Sequence, residues 1–221
     1  MCGRYALYGP RSRARSRAEA EYFASLDRFP ERWNVAPTDT MPICRLIEGM
    51  PELVTARWGL VTPKAADMKS GAKKINAPGE KITAWSDYRL PYKAKRRCLV
   101  PASGFYEWEA RPDGKQPFFF TGPEGRLLAY AGLWEEWQQP DGGTLLSYTI
   151  VTTAPNEFVK RFHDRMPVVL DEADYGRWLR EDDPRDLIKA CHNEALLNYP
   201  VSRQVNSVRN DDASLVEPLS A

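Results

Sequence analysis

The second residue of the chain, Cys2, has the chemistry of a nucleophile that can also trap an aldehyde. Once Met1 is removed, Cys2 carries an α-amino group with an ordinary pKa of about 8 and, on the adjacent carbon, a thiol with an ordinary pKa of about 8.5. The amine can form a Schiff base with an aldehyde, and the thiol can then close onto the imine carbon to give a thiazolidine. The same residue can act as a thiol nucleophile whose base is its own amine, as in N-terminal nucleophile hydrolases. In most proteins a cysteine at position 2 has no function, and this is the simplest alternative.

Two further side chains have the chemistry of proton transfer. Glu107 lies in an apolar, aromatic segment, residues 101–108, that has the composition of a strand. If its side chain points inward, burial raises the carboxyl pKa toward neutrality, as a general acid or base requires; an outward-facing Glu107 fits the alternation equally well. His163 can exchange protons near pH 7, although a surface or capping histidine has the same sequence. His192 lies in no such motif and is predicted to be structural.

A basic segment between these candidates has the composition of a nucleic-acid groove. Residues 64–97 contain ten basic and three acidic side chains, with aromatic residues between them. This composition is typical of a groove that binds a single-stranded backbone and stacks its bases, so we predict that Lys73, Lys74 and Trp85 contact DNA. Asn76, in a turn of this segment, could orient an amine or a carbonyl oxygen, or simply end a strand. A solvated basic face is the alternative for the whole segment.

Charge and composition limit the classes of protein that fit. The net charge is +1, but residues 1–100 carry 19 basic and 10 acidic side chains, whereas residues 101–221 carry 12 and 20. One face is therefore expected to be positive although the molecule is almost neutral. No apolar run approaches the roughly 20 residues of a membrane helix, and the N-terminus lacks the apolar stretch of a secretory signal. We expect a cytoplasmic protein, nucleoid-associated when bound to DNA, that does not associate with membranes and is a monomer.

The elements that must position these residues are mostly short strands. Hydrophobic patterning predicts strands at residues 4–8, 41–47, 53–58, 98–100, 105–108, 116–120, 127–131 and 145–152. It predicts helices at residues 12–24, 155–162, 171–179 and 184–191, the last with Asp183 as N-cap and Pro184 in its first turn. Because strands and helices do not alternate regularly, we predict a mixed α+β fold with peripheral helices. Residues 1–221 are expected to form a single domain with an irregular tail after residue 210.

The remaining cysteines are predicted to be structural. Cys44 and Cys98 lie in apolar strands and read as buried thiols, and Cys191 reads as part of a helix face. No C-x-x-C pair is present, so we predict no metal site.

Short motifs along the chain carry a resemblance to a known family. They are MCGRY (1–5), WNVAPT (33–38), RWGL (57–60), INA (75–77), RCLVPA (97–102), GFYEW (104–108), KQPF (115–118), HDRMP (163–167), PVS (200–202) and VN (205–206). In these segments, which are collinear over nearly the whole chain, the protein resembles the SOS response-associated peptidase family of abasic-site processing proteins. The resemblance implies a pseudo-barrel of strands, a positive groove for single-stranded DNA, and a covalent link to abasic sites without a cofactor.

The resemblance also implies a role for each matching residue. Cys2 would be the crosslinking residue, Asn76 would position it, and Glu107 and His163 would be the acid–base pair. The residues that would line the DNA site are Arg4, Asn34, Trp108 and Arg165. The family name implies a peptidase, in the sense of removing Met1 and reversing the adduct. The resemblance also implies lyase-like Schiff-base chemistry. The sequence contains no recognisable protease triad.

Two departures and two rival functions accompany this interpretation. Pro78 stands where the family usually has an arginine that meets a phosphate, and Lys64 stands where it commonly has a tryptophan that acts as a wedge. An N-terminal nucleophile amidohydrolase or amidotransferase would hydrolyse glutamine without DNA. A noncatalytic single-stranded DNA-binding module would hold abasic DNA no better than intact DNA.

Overall fold

The computed structural model describes residues 3–9 and 16–219. Its strands, in chain order, are β1 (Tyr5–Leu7), β2 (Arg32–Val35), β3 (Thr40–Ile47), β4 (Met50–Trp58), β5 (Asn76–Pro78), β6 (Arg97–Ala102), β7 (Gly104–Arg111), β8 (Gly114–Thr121), β9 (Leu128–Gln138), β10 (Thr144–Thr153), β11 (Met166–Pro167) and β12 (Leu197–Pro200). Its α-helices are α1 (Arg17–Tyr22), α2 (Ser86–Lys93), α3 (Glu157–Lys160) and α4 (Tyr175–Arg180). Short 3-10 helices lie at Leu26–Arg28, Met68–Lys73, Gly79–Lys81, Pro123–Gly125, Glu172–Asp174, Arg185–Leu187, Asn193–Ala195, Arg203–Asn206 and Ala213–Val216.

Five strands close into a barrel. Their order is β10-β4-β3-β6-β9, and β9 pairs with β10 to complete the ring. The pairing of β4 with β10 is parallel, and the other pairings in the ring are antiparallel. The short strands β5 and β11 pair with β10 as well. Because closure leaves no open edge within the ring, it stabilises a strand-rich core.

A second, five-stranded sheet lies beside the barrel in the order β12-β8-β7-β1-β2. Alternation along β7 packs both faces of this sheet: Phe105 belongs to the main hydrophobic core, whereas Tyr106 belongs to a smaller cluster with Phe119 and Val205. The mixed α+β class, with a strand-rich core and few helices, is confirmed. The second sheet is the one that carries the candidate site.

Backbone conformation at two positions explains how strands β3 and β4 are connected and where β4 ends. Ile47 pairs with Met50, and the two residues of the turn between them, Glu48 and Gly49, both have positive φ, which fits the right-handed twist of a tight hairpin. Gly59, in the RWGL motif, has a φ of +122°, and a Cβ there would lie 2.6 Å from the Gly71 carbonyl oxygen. Only glycine permits this close approach between the end of β4 and the basic segment.

The helix predicted at residues 184–191 is wrong. A single 3-10 turn forms at Arg185–Leu187, and Asp183 does not cap it. The Asp183 carboxylate instead accepts hydrogen bonds from the side chains of Arg185 and of Tyr92, which lies 91 residues earlier in the chain, so it is engaged elsewhere and does not cap a helix. Cys191 therefore lies on no helix, and its carbonyl oxygen accepts a hydrogen bond from Asn156 at 3.1 Å.

The other helix predictions hold in part. Residues 155–162 contain only α3, which Asn156 caps by accepting from the Val159 amide. Residues 171–179 form a 3-10 turn that continues into α4. Ser16 caps α1, and the earlier part of the helix predicted at residues 12–24 falls outside the described residues.

Sequence patterning misses β2, β5, β12 and the helix α2. Pro91 lies inside α2, where a proline removes a backbone donor and so hides the helical pattern. The tail after residue 210, expected to be irregular, has one 3-10 turn that buries Leu215 against the second sheet. Cys44 and Cys98 are fully buried, as predicted.

None of the helices in the described part of the chain has the length and hydropathy of a membrane span.

Candidate functional site: a cleft beside β7

A cleft of about 470 Å³ lies where the second sheet meets the segment after α3. Its walls come from β7, β8, the loop after α3 and the 3-10 turn at Arg203–Asn206. The lining residues are Glu107, Trp108, Lys115, Phe162, His163 and Asn206. Three of the predicted site residues therefore meet here: the neighbours Glu107 and Trp108, and His163, which lies more than 50 residues further along the chain.

Glu107 faces inward, as its aromatic segment allowed. It lies opposite Phe118 in the β7–β8 pairing, and only 4% of its surface is exposed. Burial disfavours the charged carboxylate and raises the pKa of Glu107 to about 7, although Lys115 partly offsets this. A carboxyl group with this pKa exists in both protonation states at neutral pH and can accept or donate a proton.

His163 is held as a neutral imidazole. Burial lowers its pKa, and its Nδ1 accepts a hydrogen bond from the Arg165 amide at 3.0 Å. Nδ1 also lies 2.7 Å from a carboxylate oxygen of Asp164, which it would bind only when protonated. The lowered pKa favours the neutral form but does not select its tautomer; because the Arg165 amide donates to Nδ1, we assign Nδ1 as the acceptor and Nε2 as the protonated nitrogen.

Strand β1 lies beside β7, the strand that carries Glu107. Tyr5 pairs with Phe105 in antiparallel register, and the Arg4 carbonyl oxygen accepts from the Tyr106 amide at 3.0 Å. Continuing the same register by one residue places Gly3 beside Glu107. Cys2 itself lies outside the described residues, and a single peptide bond joins it to Gly3.

Arg4 and Asn34 hydrogen-bond to the segment that carries Asn206, one of the residues that line the cleft. Arg4 Nη1 donates to Asn34 Oδ1 at 2.7 Å and to the Val205 carbonyl oxygen at 2.8 Å. Asn34 is fully buried, and its Nδ2 donates to the carbonyl oxygens of Val205, Ser207 and Asn210. These bonds fix the turn that carries Asn206, so a direct contact between Asn34 and DNA would require that turn to move.

Trp108 and Asn206 together form one wall of the cleft. Trp108 Nε1 donates to Asn206 Oδ1 at 2.7 Å, which fixes the orientation of the indole ring. The ring remains partly exposed, as a surface for stacking must be. Asn206, Lys115 and Phe162 were not predicted as site residues, since the motifs that contain them gave no sign that they meet at one cleft.

Asn76 does not line this cleft. It lies in β5 opposite Ile150 of β10, with 5% of its surface exposed, and its carbonyl oxygen accepts from the Tyr88 hydroxyl at 3.1 Å. Strand β10 links it to the His163 loop, because Thr152 pairs with Pro78 on one side and Pro167 on the other. The Asn76 segment and the His163 loop are thus fixed to the same strand.

The basic segment presents fewer free charges than its sequence suggests. Arg97 is buried and donates to the carbonyl oxygens of Trp178 and Glu181, where it caps the end of α4. Ion pairs engage Lys74 with Asp87, Lys95 with Asp182, and Arg96 with Glu135. The exposed basic residues for which the described contacts show no ion pair are Lys64, Lys69, Lys73, Lys81, Arg89 and Lys93.

Trp85 is the exposed aromatic residue of this segment. Half of its surface is accessible, and its ring stacks on that of Tyr88 with centroids 6.1 Å apart. Since the Tyr88 hydroxyl binds the Asn76 backbone, the stack connects the exposed indole to the Asn76 segment. Lys73 lies exposed nearby in sequence, in the 3-10 turn Met68–Lys73.

A larger cleft of about 770 Å³ lies elsewhere, between residues near Tyr8, Phe23 and Arg126. It contains none of the predicted site residues. Over residues 3–9 and 16–219, no cluster of three His, Cys, Asp or Glu side chains could hold a metal ion. The chemistry of the candidate site therefore rests on the cleft with Glu107 and His163.

Comparison with known proteins identifies related sequences and a related fold. The chain matches the model of the SOS response associated peptidase family, SRAP, over residues 1–208. Abasic site processing protein YoqW of Bacillus subtilis is 34% identical over 98% of this chain and 99% of its own length. Abasic site processing protein HMCES of Gallus gallus is 36% identical over 76% of this chain, a match that covers 57% of that longer protein. A crystal structure of a protein from Bacteroides thetaiotaomicron has the same fold, with a TM-score of 0.81 over 99% of this chain and 100% of that one at 20% identity.

Proposed function

The chain belongs to the SOS response associated peptidase family, and from this premise we propose that it processes abasic sites in DNA. More specifically, it binds single-stranded DNA and captures the ring-opened aldehyde of the abasic site on Cys2. The product is a covalent thiazolidine that shields the lesion. The observation that carries this proposal is the cleft in which Glu107, with a pKa of about 7, faces the same space as His163, next to the strand that leads back to Cys2.

The proposed chemistry has two bond-forming stages. The Cys2 amine attacks C1′ of the aldehyde, and the resulting carbinolamine loses one water to give an imine. The Cys2 sulfur then bonds to the same carbon, and its proton passes to the nitrogen, which closes the five-membered ring. No oxidant or reductant is required, and the balance is one water released.

Glu107 and His163 have complementary parts in this scheme. Glu107 relays protons, since imine formation needs a proton removed from the attacking amine and one delivered to the leaving hydroxyl. The neutral imidazole of His163 assists opening of the sugar ring, which produces the reactive aldehyde. Asn76 is assigned the orientation of the Cys2 amine by hydrogen bonding; it does not line the cleft, but its segment is fixed to the same strand as the His163 loop. Removal of Met1 must precede these steps, because only a free Cys2 amine on the carbon next to the thiol-bearing one can close the ring.

Denaturing electrophoresis tests the proposal directly. We expect the Met1-free protein to give a shifted band with abasic single-stranded DNA that survives boiling in detergent, and none with intact DNA. Glutamine hydrolysis without any DNA dependence would instead identify an N-terminal nucleophile amidohydrolase. Equal, noncovalent binding of both DNAs would identify a binding module.

A second prediction concerns the basic segment. Because exposed lysines and arginines release counterions when they meet phosphates, we expect affinity for intact single strands to fall linearly on a log–log scale as salt rises. Each phosphate contact contributes a slope of about −0.7 for single strands. Lys73→Gln is expected to lose about 0.7 of this slope, measured by fluorescence anisotropy. Lys74→Gln is expected to lose less, because the Lys74 ammonium group already pairs with Asp87. Affinity that does not change with salt would rule out this groove.

A further inference from the structure

The guanidinium group of Arg165 is occupied by a carboxylate of the protein itself. Nη1 and Nη2 of Arg165 donate to the two carboxylate oxygens of Glu80 at 2.8 and 2.9 Å. This fork-to-fork arrangement is also how an arginine binds two oxygens of a phosphate. The family resemblance places Arg165 at the DNA site. The face of its guanidinium group that would bind a phosphate is already occupied by the Glu80 carboxylate.

The Arg165 guanidinium group would keep its orientation if the Glu80 carboxylate moved away. Arg165 Nη2 also donates to the carbonyl oxygen of Thr152 at 2.8 Å and to its hydroxyl at 3.1 Å. Thr152 is fully buried in β10, the rigid strand that carries β5 and β11. The guanidinium is thus anchored from the protein side and does not depend on Glu80 for its orientation.

Glu80 covers the fork from the solvent side. Its side chain is 55% exposed, whereas that of Arg165 is only 19% exposed. The turn that carries Glu80 is fixed at this point, because a Cβ on the preceding Gly79 would lie 2.2 Å from Ile188 and 3.0 Å from the Thr152 carbonyl oxygen. Hydrogen bonds from Arg165 lower the pKa of Glu80, so the carboxylate stays charged at neutral pH.

We propose that Glu80 is an internal competitor for a DNA phosphate at Arg165, and that it limits the affinity of the protein for the DNA backbone. A strand that uses Arg165 must first displace Glu80, which can swing into solvent while Thr152 holds the guanidinium. This inference rests on the proposed binding of single-stranded DNA. Glu80 would then set the strength of one contact between the protein and the DNA backbone, beside the His163 loop.

The test is the binding of intact single-stranded DNA by Glu80→Gln, measured by anisotropy over a range of salt concentrations. Freeing the fork is expected to tighten binding roughly three- to tenfold at low salt and to steepen the salt slope by about 0.7. Asp67→Asn is the matched control, because it removes the same charge from the same segment at a residue whose side chain accepts from the Ser70 amide and, within the described part of the chain, pairs with no arginine. We expect a smaller gain from it, since it frees no arginine.

A double-mutant cycle separates competition from general charge. In an Arg165→Gln background, Glu80→Gln should gain no more than Asp67→Asn does, provided that thermal melting shows all variants folded. If Glu80→Gln binds with unchanged or weaker affinity while the wild type shows salt-dependent binding, the competitor role is overturned and the proposed function stands. If the wild type binds no single-stranded DNA at any salt concentration, the proposed function fails, and this inference fails with it.

Discussion

Replacement of Cys2 by serine is expected to abolish the stable DNA adduct while leaving imine formation intact. Serine keeps the α-amino group but replaces the thiol with a much weaker nucleophile, so the imine forms and the ring does not close. Borohydride should therefore trap the Cys2→Ser protein on abasic DNA as a secondary amine. Without borohydride, no band should survive boiling in detergent. Both states are read on one denaturing gel.

The matched control keeps the thiol and displaces the amine. A protein that retains Met1, or carries one extra residue before Cys2, has no free amine next to the thiol-bearing carbon and should form no thiazolidine. Both variants should still bind intact single strands, because neither alters the basic segment. If the Met1-retaining protein crosslinks as fast and as stably as the processed one, the thiazolidine mechanism is wrong, and a lysine of residues 64–97 becomes the candidate nucleophile.

The two candidate acid–base residues could be singled out from sequence because each stands out locally, and their role remains a proposal. Glu107 is the one carboxylate between Phe105 and Trp108, but the sequence allowed it to face inward or outward, and only the structure shows that it faces inward. That Glu107 and His163 lie in the same cleft could not be predicted from local sequence. Glu107 and His163 share a cleft because β7 and the segment after α3 converge in space, which no local pattern encodes.

In the basic segment, the sequence overstates how many positive charges are available to bind DNA. Its ten basic side chains look equivalent in sequence. Arg96 and Lys95 are neutralised by Glu135 and Asp182, which lie 39 and 87 positions further along the chain, and Arg97 is buried under α4. Similarly, the partner of Arg165 is Glu80, 85 residues earlier. Ion pairs between distant segments require the fold, and the fold cannot be deduced from charge counts.

The strands were easier to predict than the helices. The long strands β3 and β10 lie almost where alternation places them, because each fills a pleated and largely buried surface. The segment after Asp183 has the cap and the apolar spacing of a helix, yet it forms only a 3-10 turn. There, Asp183 is engaged by Tyr92 and Arg185 and does not cap the segment, which shows how tertiary contacts override local propensity. The cleft is consequently built from well-predicted strands and from loops that only the structure defines.

Replacement of Glu107 by glutamine is expected to slow adduct formation by about 10²- to 10⁴-fold, the range for loss of a general acid–base group. Because the carboxyl pKa is about 7, the wild-type rate should fall above pH 7 as Glu107 loses the proton needed to expel water from the carbinolamine. That fall should be absent in Glu107→Gln, whose rate is lower throughout. Single-turnover crosslinking between pH 5.5 and 9 measures both features. Glu109→Gln is the control, because Glu109 lies on the same strand but outside the cleft lining.

The same substitution has a stability signature that does not depend on DNA. Glu107 has a folded-state pKa of about 7, above its ordinary value near 4.3, so the native state holds a proton that the unfolded chain releases in this interval. Wild-type stability therefore falls as pH rises from about 4.3 to 7, whereas glutamine has no proton to lose. Glu107→Gln should gain stability relative to wild type across this range, by on the order of 3 kcal/mol at pH 8, measured by urea denaturation. A variant that gains this stability but crosslinks at the wild-type rate would remove Glu107 from the mechanism and leave His163 as the proton carrier of the cleft.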